Sequence, residues 1–423
     1  MILYYFKQAT MKPVLPLLIK THKAAGKLGE LSNKQIQLAL RDLSKELVEQ
    51  MDTILRANAK DLSRQNPDNP KNDRLILNEQ RIKSIAASIK KIASLPDPTG
   101  RQLESKVLPN GLKLEKVTVA LGVVGAIYES RPNVTFDIAA LCLRSRNAAV
   151  LKGSSEAENT NLAAVALMKK VLKKHGISVD TITLLPSARE VVDDIFTATR
   201  YIDVLIPRGS DSLIRYVRKN SLVPVIETGA GVCHVYVESA ADLNKAVNIV
   251  VNAKVSRPSV CNAMDALLVD AGIAPEFLRR LGPELAKHHV EIYADSGSHK
   301  ILKGYPYLKQ AVREDFGREF LRLACAIKVV SGMEEALEHI DRYSTKHSEA
   351  IISEDKKSCE RFIRSVDAAA VYSNASTRFT DGEEFGLGAE IGISTQKLHA
   401  RGPFALEKLV TEKWILRGNG QVR

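Results

Sequence analysis

The stretch that decides the fold is GVVGAIYESRPNVTFDIAALCLRSRNAAVLKGSSEAENTN, residues 122–161. It contains two short apolar runs, at 123–128 and 148–151, with a segment of helical period between them. This order favours two parallel strands joined by a crossover helix, because parallel strands need a long connection and are usually covered on both faces. The stretch therefore predicts the beginning of a parallel α/β sheet.

The same alternation continues towards the C-terminus. Apolar runs recur at 181–185, 204–206 and 223–226, and segments of helical period occupy 157–175 and 188–199. The chain of 423 residues is too long for one hydrophobic core. We therefore predict two doubly wound α/β domains joined near residue 230. The second domain would contain the apolar runs at 234–237, 266–269, 290–293, 327–330, 350–352 and 370–372.

The two ends of the chain follow other patterns. In the first hundred residues, Ser32 can cap an amphipathic helical stretch through about residue 61, and a second helix over 77–95 should end before Pro96. Near residue 110, an Asn-Gly pair between β-rich runs predicts a hairpin over 107–119. The tail 399–423 contains TEKWIL, which we interpret as a strand that pairs outside its own domain.

Composition excludes several classes of protein. Hydrophobic residues make up 45% of the chain and charged residues 26%, which is typical of a soluble globular protein. No apolar run reaches the roughly 18–20 residues of a membrane span, and no secretory signal is evident, so we expect a cytoplasmic protein. Residues 1–10 precede a second possible start at Met11. The five cysteines are widely spaced and lack a CxxC pair, so we expect neither a disulfide framework nor a metal site.

The net charge of +12 leaves three interpretations open. It suits a nucleic-acid-binding protein, a cleft that attracts anionic small molecules, or simply a solvated basic surface. The lysines and arginines are spread along predicted helices, without an arginine-rich arm or the interleaved aromatic residues of RNA-binding segments. Charge alone does not choose among the three.

Six blocks of sequence, in this order, resemble the γ-glutamyl phosphate reductase family, a branch of the aldehyde dehydrogenase superfamily. The resemblance covers nearly the whole chain from about residue 13, and six long blocks in one order make it highly specific. The blocks are GVVGAIYESRPNVT (122–135), AAVLKGSSEAENTN (148–161), IPRGSDSLI (206–214), PVIETGAGVCHVYV (224–237), NAKVSRPSVCNA (252–263) and ASTRFTDGEEFGLGAEIGISTQKLHARGP (375–403).

The resemblance implies an enzyme that reduces L-glutamyl 5-phosphate to L-glutamate 5-semialdehyde with NADPH, the second step of proline synthesis from glutamate. It also implies a homo-oligomer that binds neither nucleic acid nor membrane, with glutamate 5-kinase as a further partner to consider. The expected fold is aldehyde dehydrogenase-like. It would have a cofactor-binding domain (1–103 and 120–229), a catalytic domain (230–398), and a small β oligomerisation unit (104–119 and 399–423) that pairs with a neighbouring subunit.

The resemblance also assigns catalytic residues. Cys261, in RPSVCNA, matches the family's nucleophile, although a lone cysteine is more often a small core residue. Asn133, in ESRPN, is the candidate amide that stabilises the oxyanion, and its alternative role is a helix N-cap. Glu227 stands where oxidising relatives keep a general base. A reductase has no need of that base, so we interpret Glu227 as an orienting or structural group.

Five residues match cofactor-binding positions of the superfamily. Lys152 and Ser155 suit the 2′-phosphate of NADPH, although a lysine at a strand end can also point to solvent. Gly209 and Ser210 match a turn and helix start over the pyrophosphate, where free N–H groups favour an anion. Glu319 resembles the glutamate that holds the nicotinamide ribose. The usual GxGxxG fingerprint is absent, because Gly229-Ala-Gly231 lacks the third glycine, and the superfamily binds its cofactor without that loop.

The substrate carries two anionic ends, so it should require a guanidinium that binds carboxylate or phosphate with two hydrogen bonds. A surface salt bridge is the alternative role for each candidate. Arg378 is the first choice because it lies in a turn-rich segment after a strand. The candidates are Arg131, Arg257, Arg378 and Arg401.

Two features leave alternatives open. An NAD-dependent aldehyde dehydrogenase that acts on another aldehyde is the main rival function, and Glu227 is its only support. Arg146 stands where the family usually has a glycine, so the turn before the second strand is in doubt.

Overall fold

The computed structural model describes residues 14–66 and 72–423, so the question about residues 1–10 lies outside the described part. The chain divides into two compact units with a boundary after Thr228. The first unit comprises Met1–Thr228, Gly386–Gly392 and Phe404–Arg423, and the second comprises Gly229–Phe385 and Ile393–Pro403. A separate oligomerisation unit stays a prediction.

Amphipathic helices form the N-terminal part of the first unit. Ser32 begins the second of them as predicted, since its Oγ accepts the N–H of Gln35 at 3.1 Å. The predicted continuous stretch to residue 61 was wrong, because Gln50 leaves helical geometry (φ −101°, ψ 19°) and divides it. The helices are α1 (Leu15–Leu28), α2 (Asn33–Glu49), α3 (Met51–Leu62), α4 (Asn72–Leu75) and α5 (Glu79–Ser94).

A four-stranded parallel sheet follows in the same unit, in the order β5-β4-β3-β6. Its strands are β3 (Val123–Tyr128), β4 (Ala148–Lys152), β5 (Ile182–Leu184) and β6 (Val204–Arg208). The connecting and following helices are α6 (Pro132–Arg144), α7 (Glu158–Lys174), α8 (Val191–Phe196) and α9 (Asp211–Asn220).

The strand predicted at 223–226 does not form. That segment makes a single bridge between Val225 and Leu205, and Pro224 has no N–H with which to extend the pairing.

The order of the four strands in the sheet has a functional consequence. The chain leaves β3 towards β4 and β5 on one side and returns to β6 on the other. The carboxyl ends of β3 and β6 therefore flank a topological switch point, where open α/β sheets bind ligands.

The predicted hairpin and the C-terminal strand form one antiparallel sheet in the first unit. Strands β1 (Gln102–Val107) and β2 (Lys113–Ala120) are joined by a turn in which Gly111 has a φ of +82°, and the tail strand β16 (Val410–Arg417) pairs with β2. The tail thus pairs with the hairpin of its own chain, while pairing of this sheet with a neighbouring subunit stays a prediction. Two further short strands, β14 (Glu390–Ser394) and β15 (Gly402–Ala405), form a two-stranded sheet.

The second unit is built on seven parallel strands in the order β10-β9-β11-β8-β7-β12-β13. All six predicted strands are present. The strand that sequence patterns missed, β10, has three residues at the sheet edge and little burial. The strands are β7 (Cys233–Val237), β8 (Met264–Asp270), β9 (Glu291–Ala294), β10 (Leu308–Gln310), β11 (Ala324–Val330), β12 (Ser348–Ile352) and β13 (Ala370–Ser373). The helices are α10 (Leu243–Val255), α11 (Ala274–Ala286), α12 (Ser296–Ile301), α13 (Met333–Tyr343) and α14 (Lys356–Ser365).

Arg146 shows how a residue other than glycine is accommodated in the turn before β4. Its φ of +60° lies in the left-handed region that favours glycine. The guanidinium compensates with several contacts: it donates to Asp97 Oδ2 at 2.9 Å and to the carbonyl oxygens of Leu28 and Leu31. These contacts tie the turn to the N-terminal helices, so the departure from the family pattern leaves the turn intact.

Candidate active site

Among the five cysteines, all of which lie in the described part of the chain, Cys261 is the one that is not buried. Burial is the largest cause that raises the pKa of the other four thiols, to about 12 for Cys325. Those thiols stay protonated and are poor nucleophiles. Cys261 lies in the loop between α10 and β8, where solvent reaches it. The structure thus separates the predicted nucleophile from the packing cysteines.

The segment before β7 touches the backbone of Cys261. A Cβ atom on Gly231 would overlap the carbonyl oxygen of Cys261, so only glycine allows this approach. Cys233, two residues on, donates its thiol to the same oxygen at 3.2 Å. Sequence patterns had shown Gly231 as part of an incomplete nucleotide-binding motif, whereas here it serves the nucleophile's loop.

Arg378 lies beside the nucleophile's loop. Its Nη1 donates to Oδ1 of Asn262, the residue after Cys261, and its Nε donates to Oγ of Ser256 at 3.1 Å. Burial, followed by the neighbouring Arg257, lowers the pKa of Arg378, while Cys261 acts in the opposite direction. Arg378 is therefore hydrogen-bonded to the residue that follows Cys261, and the charges of Arg257 and Cys261 both influence its guanidinium. Asn262 was not among the residues predicted from the sequence, because nothing in RPSVCNA indicates that its amide reaches a segment 116 residues away.

Glu319 approaches the same region of the second unit. Its Oε1 accepts the N–H of Gly231 at 3.0 Å, and the next residue, Phe320, donates its N–H to Asp265 at 3.1 Å. Asp265 in turn is paired with the fully buried Lys254 at 3.2 Å, and burial raises its pKa to about 6. Glu319, the residue proposed to bind the nicotinamide ribose, is therefore hydrogen-bonded to the glycine that contacts Cys261.

The switch-point crevice of the first unit contains Gly209 and Ser210. Ser210 caps α9, and its N–H and hydroxyl both donate to the carboxylate of Glu129, at 2.7 and 3.0 Å. The absence of a side chain at Gly209 makes room for this carboxylate, since a Cβ there would lie 2.5 Å from Glu129 Oε2. The helix start therefore binds a negatively charged group, as predicted for a pyrophosphate, but here that group is an internal carboxylate.

Lys152 does not point to solvent, which excludes the alternative that the sequence left open. The residue is 7% exposed, and its Nζ donates to the carbonyl oxygen of Ser187 at 2.9 Å. Burial is the largest cause that lowers its pKa. Ser155, three residues on, begins a short 3₁₀ turn and is exposed. A buried ammonium at a strand end with an exposed hydroxyl nearby fits an anionic ligand.

Asn133 lies in the first turn of α6. The N-cap of that helix is Arg131, so the alternative role of Asn133 as the N-cap was wrong. Its Nδ2 donates to Asp137 Oδ2 one turn along, at 3.2 Å. Both Asn133 and Arg131 are partly exposed. The side chain is thus an amide donor at an accessible helix start.

Two further residues have ion-pair partners. Arg401 donates to Asp367 at 2.6 Å, in a group that also contains Lys346 and Lys397, and this salt bridge matches the alternative role given to each arginine. Glu227 of the first unit is 3.4 Å from Arg218.

Two general features of the described residues bear on the function. No helix within 14–66 and 72–423 is long and apolar enough to cross a membrane. In the same ranges, no group of three or more histidine, cysteine, aspartate or glutamate side chains is arranged to hold a metal ion.

A model of the aldehyde dehydrogenase family matches residues 20–298. The fold is also shared with an acetylating aldehyde dehydrogenase from Geobacillus thermoglucosidasius, at 17% identity and a TM-score of 0.71 over 99% of both chains. The predicted fold class is therefore confirmed. Enzymes of this family use a nicotinamide cofactor.

Closer relatives narrow the class. The chain is 52% identical over 409 residues to a γ-glutamyl phosphate reductase from Pelodictyon phaeoclathratiforme, covering 96% of this chain and 98% of the relative. A solved γ-glutamyl phosphate reductase from Thermotoga maritima superposes with a TM-score of 0.93 at 41% identity, covering 97% of this chain and 99% of that one. The chain belongs to the γ-glutamyl phosphate reductase family, within the aldehyde dehydrogenases. The resemblance predicted from six sequence blocks is confirmed.

Proposed function

We propose that this protein reduces L-glutamyl 5-phosphate to L-glutamate 5-semialdehyde with release of phosphate, using NADPH, as the second step of proline synthesis. The observation that carries the proposal is the partly exposed Cys261 in a chain of this family, followed by Asn262, whose side chain accepts a hydrogen bond from the guanidinium of Arg378. A thiolate is the form of cysteine that attacks an acyl phosphate, and a neighbouring cation favours it.

Cys261 would form a thioester with the γ-carbonyl carbon while the C–O bond to phosphate breaks. The electron pair of that bond leaves with the phosphate, whose charge Arg378 and Arg257 would stabilise. Asn133 and the N–H of Cys261 would donate to the oxyanion that develops on the carbonyl oxygen. After hydride adds to the thioester carbon, the C–S bond breaks and the aldehyde leaves. The sulfur keeps the electron pair of that bond as a thiolate, so the protein returns to its starting state.

NADPH would supply the hydride, and each unit contains candidate residues for one part of it. Ser210 and Gly209 offer the donors of a helix start, Lys152 and Ser155 a cation and a hydroxyl for the 2′-phosphate, and Glu319 a carboxylate for the ribose. Glu129 now accepts both donors of Ser210, so its side chain would turn aside when a phosphate binds.

The proposal is tested against its rival with a panel of substrates. In the oxidative direction, purified protein with phosphate and NADP⁺ should use glutamate 5-semialdehyde far better than propanal or benzaldehyde, and better with NADP⁺ than with NAD⁺. A preference for NAD⁺ and for another aldehyde would favour an NAD-dependent aldehyde dehydrogenase instead.

Glu227→Gln should lower reductase turnover by about tenfold or less. Hydride, not water, attacks the thioester in the proposed reaction, so no general base is needed at this position. The substitution also keeps a hydrogen-bonding group opposite Arg218, which limits structural effects. Steady-state kcat measures the outcome. A decrease in kcat of about a thousandfold with cofactor binding intact would instead indicate that Glu227 is a general acid or a general base.

Arg378→Lys should raise the KM for glutamate 5-semialdehyde by about tenfold, and raise the KM for NADP⁺ less. Lysine keeps the charge but loses the planar fork, and a charge-assisted hydrogen bond contributes about 1.5–3 kcal/mol. Arg401→Lys is the matched control, because Arg401 is occupied by Asp367. Equal effects of Arg378→Lys on both constants, or a larger effect from Arg401→Lys, would move the substrate contact away from Arg378.

Assembly and location belong to the same proposal. The sheet of β1, β2 and β16 exposes Val107, Trp414 and Leu416, and we propose that it pairs with a second copy of the chain in a homo-oligomer. We also propose a cytoplasmic location. Glutamate 5-kinase is the proposed partner, because that kinase would make the acyl phosphate consumed here.

A further inference from the structure

Asn262 has a buried side-chain amide whose nitrogen and oxygen both form hydrogen bonds with one distant segment, residues 378–380. The residue is 3% exposed, and its Nδ2 donates to the carbonyl oxygens of Arg378 at 3.2 Å and Thr380 at 2.9 Å. Its Oδ1 accepts from the Arg378 guanidinium. The side chain of the residue that directly follows Cys261 therefore holds both the backbone and the guanidinium of Arg378.

Other contacts hold the same segment from its far side. Thr377 returns a hydrogen bond from its hydroxyl to the backbone oxygen of Asn262 at 2.7 Å. Thr380, which is fully buried, shares its hydroxyl with Ser348 at 2.6 Å and Tyr372 at 2.7 Å. The segment is thus anchored on the sheet, and the guanidinium of Arg378 is held by Asn262 Oδ1 and Ser256 Oγ.

We propose that Asn262 is a positioning residue, which holds the guanidinium of Arg378 against Cys261 so that the cation favours the thiolate and the departing phosphate. This inference rests on the proposed role of Cys261. Asn262 itself needs no contact with the substrate. Its effect would pass entirely through Arg378. The charged or titratable groups around that guanidinium are Arg257, Asp381, Glu384 and Cys261.

The test measures the pH dependence of Cys261 alkylation by iodoacetamide, which reports the thiolate without requiring turnover. Labelling of the Cys261→Ser variant is subtracted as background. Asn262→Ala should move the midpoint of the profile upward by about half to one pH unit, since the nearby cation is released. It should also lower kcat by about tenfold or more and leave the KM for NADP⁺ nearly unchanged. Asn248→Ala, an exposed asparagine on α10, is the matched control and should change neither quantity.

A double-mutant cycle separates positioning from a merely structural role. If Asn262 acts through Arg378, Asn262→Ala should add little to the shift already produced by Arg378→Ala. Fully additive shifts, or no shift in Asn262→Ala, would overturn the inference. Ser256 is exposed, and Ser256→Ala removes its hydrogen bond with Nε of Arg378. This variant should give a smaller shift in the same direction, and it tests the inference even if Asn262→Ala does not fold. Failure of the proposed reaction would appear separately, as absent turnover in the unaltered protein with the alkylation shifts intact.

Discussion

Replacement of Cys261 by serine is expected to lower reductase turnover by at least about a thousandfold, while NADPH still binds and the fold persists. A serine hydroxyl is a far poorer nucleophile than a thiolate unless a base lies beside it. The substitution changes one atom of a partly exposed side chain, so the effect on the free energy of unfolding should be small. NADPH fluorescence titration and circular dichroism would establish binding and folding.

Cys359→Ser is the matched control. Cys359 is buried on α14 and donates to the carbonyl oxygen of Ser353 at 3.4 Å, a contact that a serine hydroxyl can also make. Its turnover should remain within about threefold of the unaltered protein. Substantial activity in Cys261→Ser, or equal losses in both variants, would remove Cys261 from the chemistry.

Gly231→Ala is expected to lower kcat by about a hundredfold or more. The added methyl group would overlap the Cys261 carbonyl, so the backbone of one segment must move, and a displacement of about 1 Å at a reacting group can cost roughly 10²-fold in rate. The rate of Cys261 alkylation at fixed pH should change as well, because the loop that carries the thiol is displaced.

Gly229→Ala provides the comparison within the same segment. The three atoms nearest to a Cβ there all belong to the side chain of Thr395, and the closest, its hydroxyl oxygen, lies at 3.2 Å, so a small side-chain movement can make room. We expect a change of at most about threefold in kcat. Similar losses in the two variants would mean that the segment tolerates no added volume at all and that the contact with Cys261 has no special role.

Most strands were predictable because buried parallel strands are short apolar runs, and this signal is local. The incorrect predictions of helices and strands also have local causes. Gln50 breaks a helix although the apolar period continues across it, and Pro224 prevents a strand although the residues around it are apolar. The edge strand β10 is too exposed to have an apolar run.

The candidate site was predicted only in part. Cys261 and Arg378 were identified from their blocks, and the structure joins Arg378 by a hydrogen bond to Asn262, the residue after Cys261. Asn262 and Gly231 could not be assigned from the sequence, because their roles are contacts with residues 116 and 30 positions away. Glu129 was missed for the same reason, since its partner Ser210 lies 81 residues further along the chain.

Phosphate dependence of the oxidative reaction tests the central claim most directly. Purified protein would be mixed with glutamate 5-semialdehyde and NADP⁺, with and without inorganic phosphate, and NADPH formation followed by absorbance. The proposed mechanism predicts that NADPH forms only when phosphate is present to release the acyl group from Cys261, and that Cys261→Ser forms none. NADPH formation at the same rate without phosphate would contradict it, because water would then release the acyl group and the protein would be an ordinary aldehyde-oxidising enzyme.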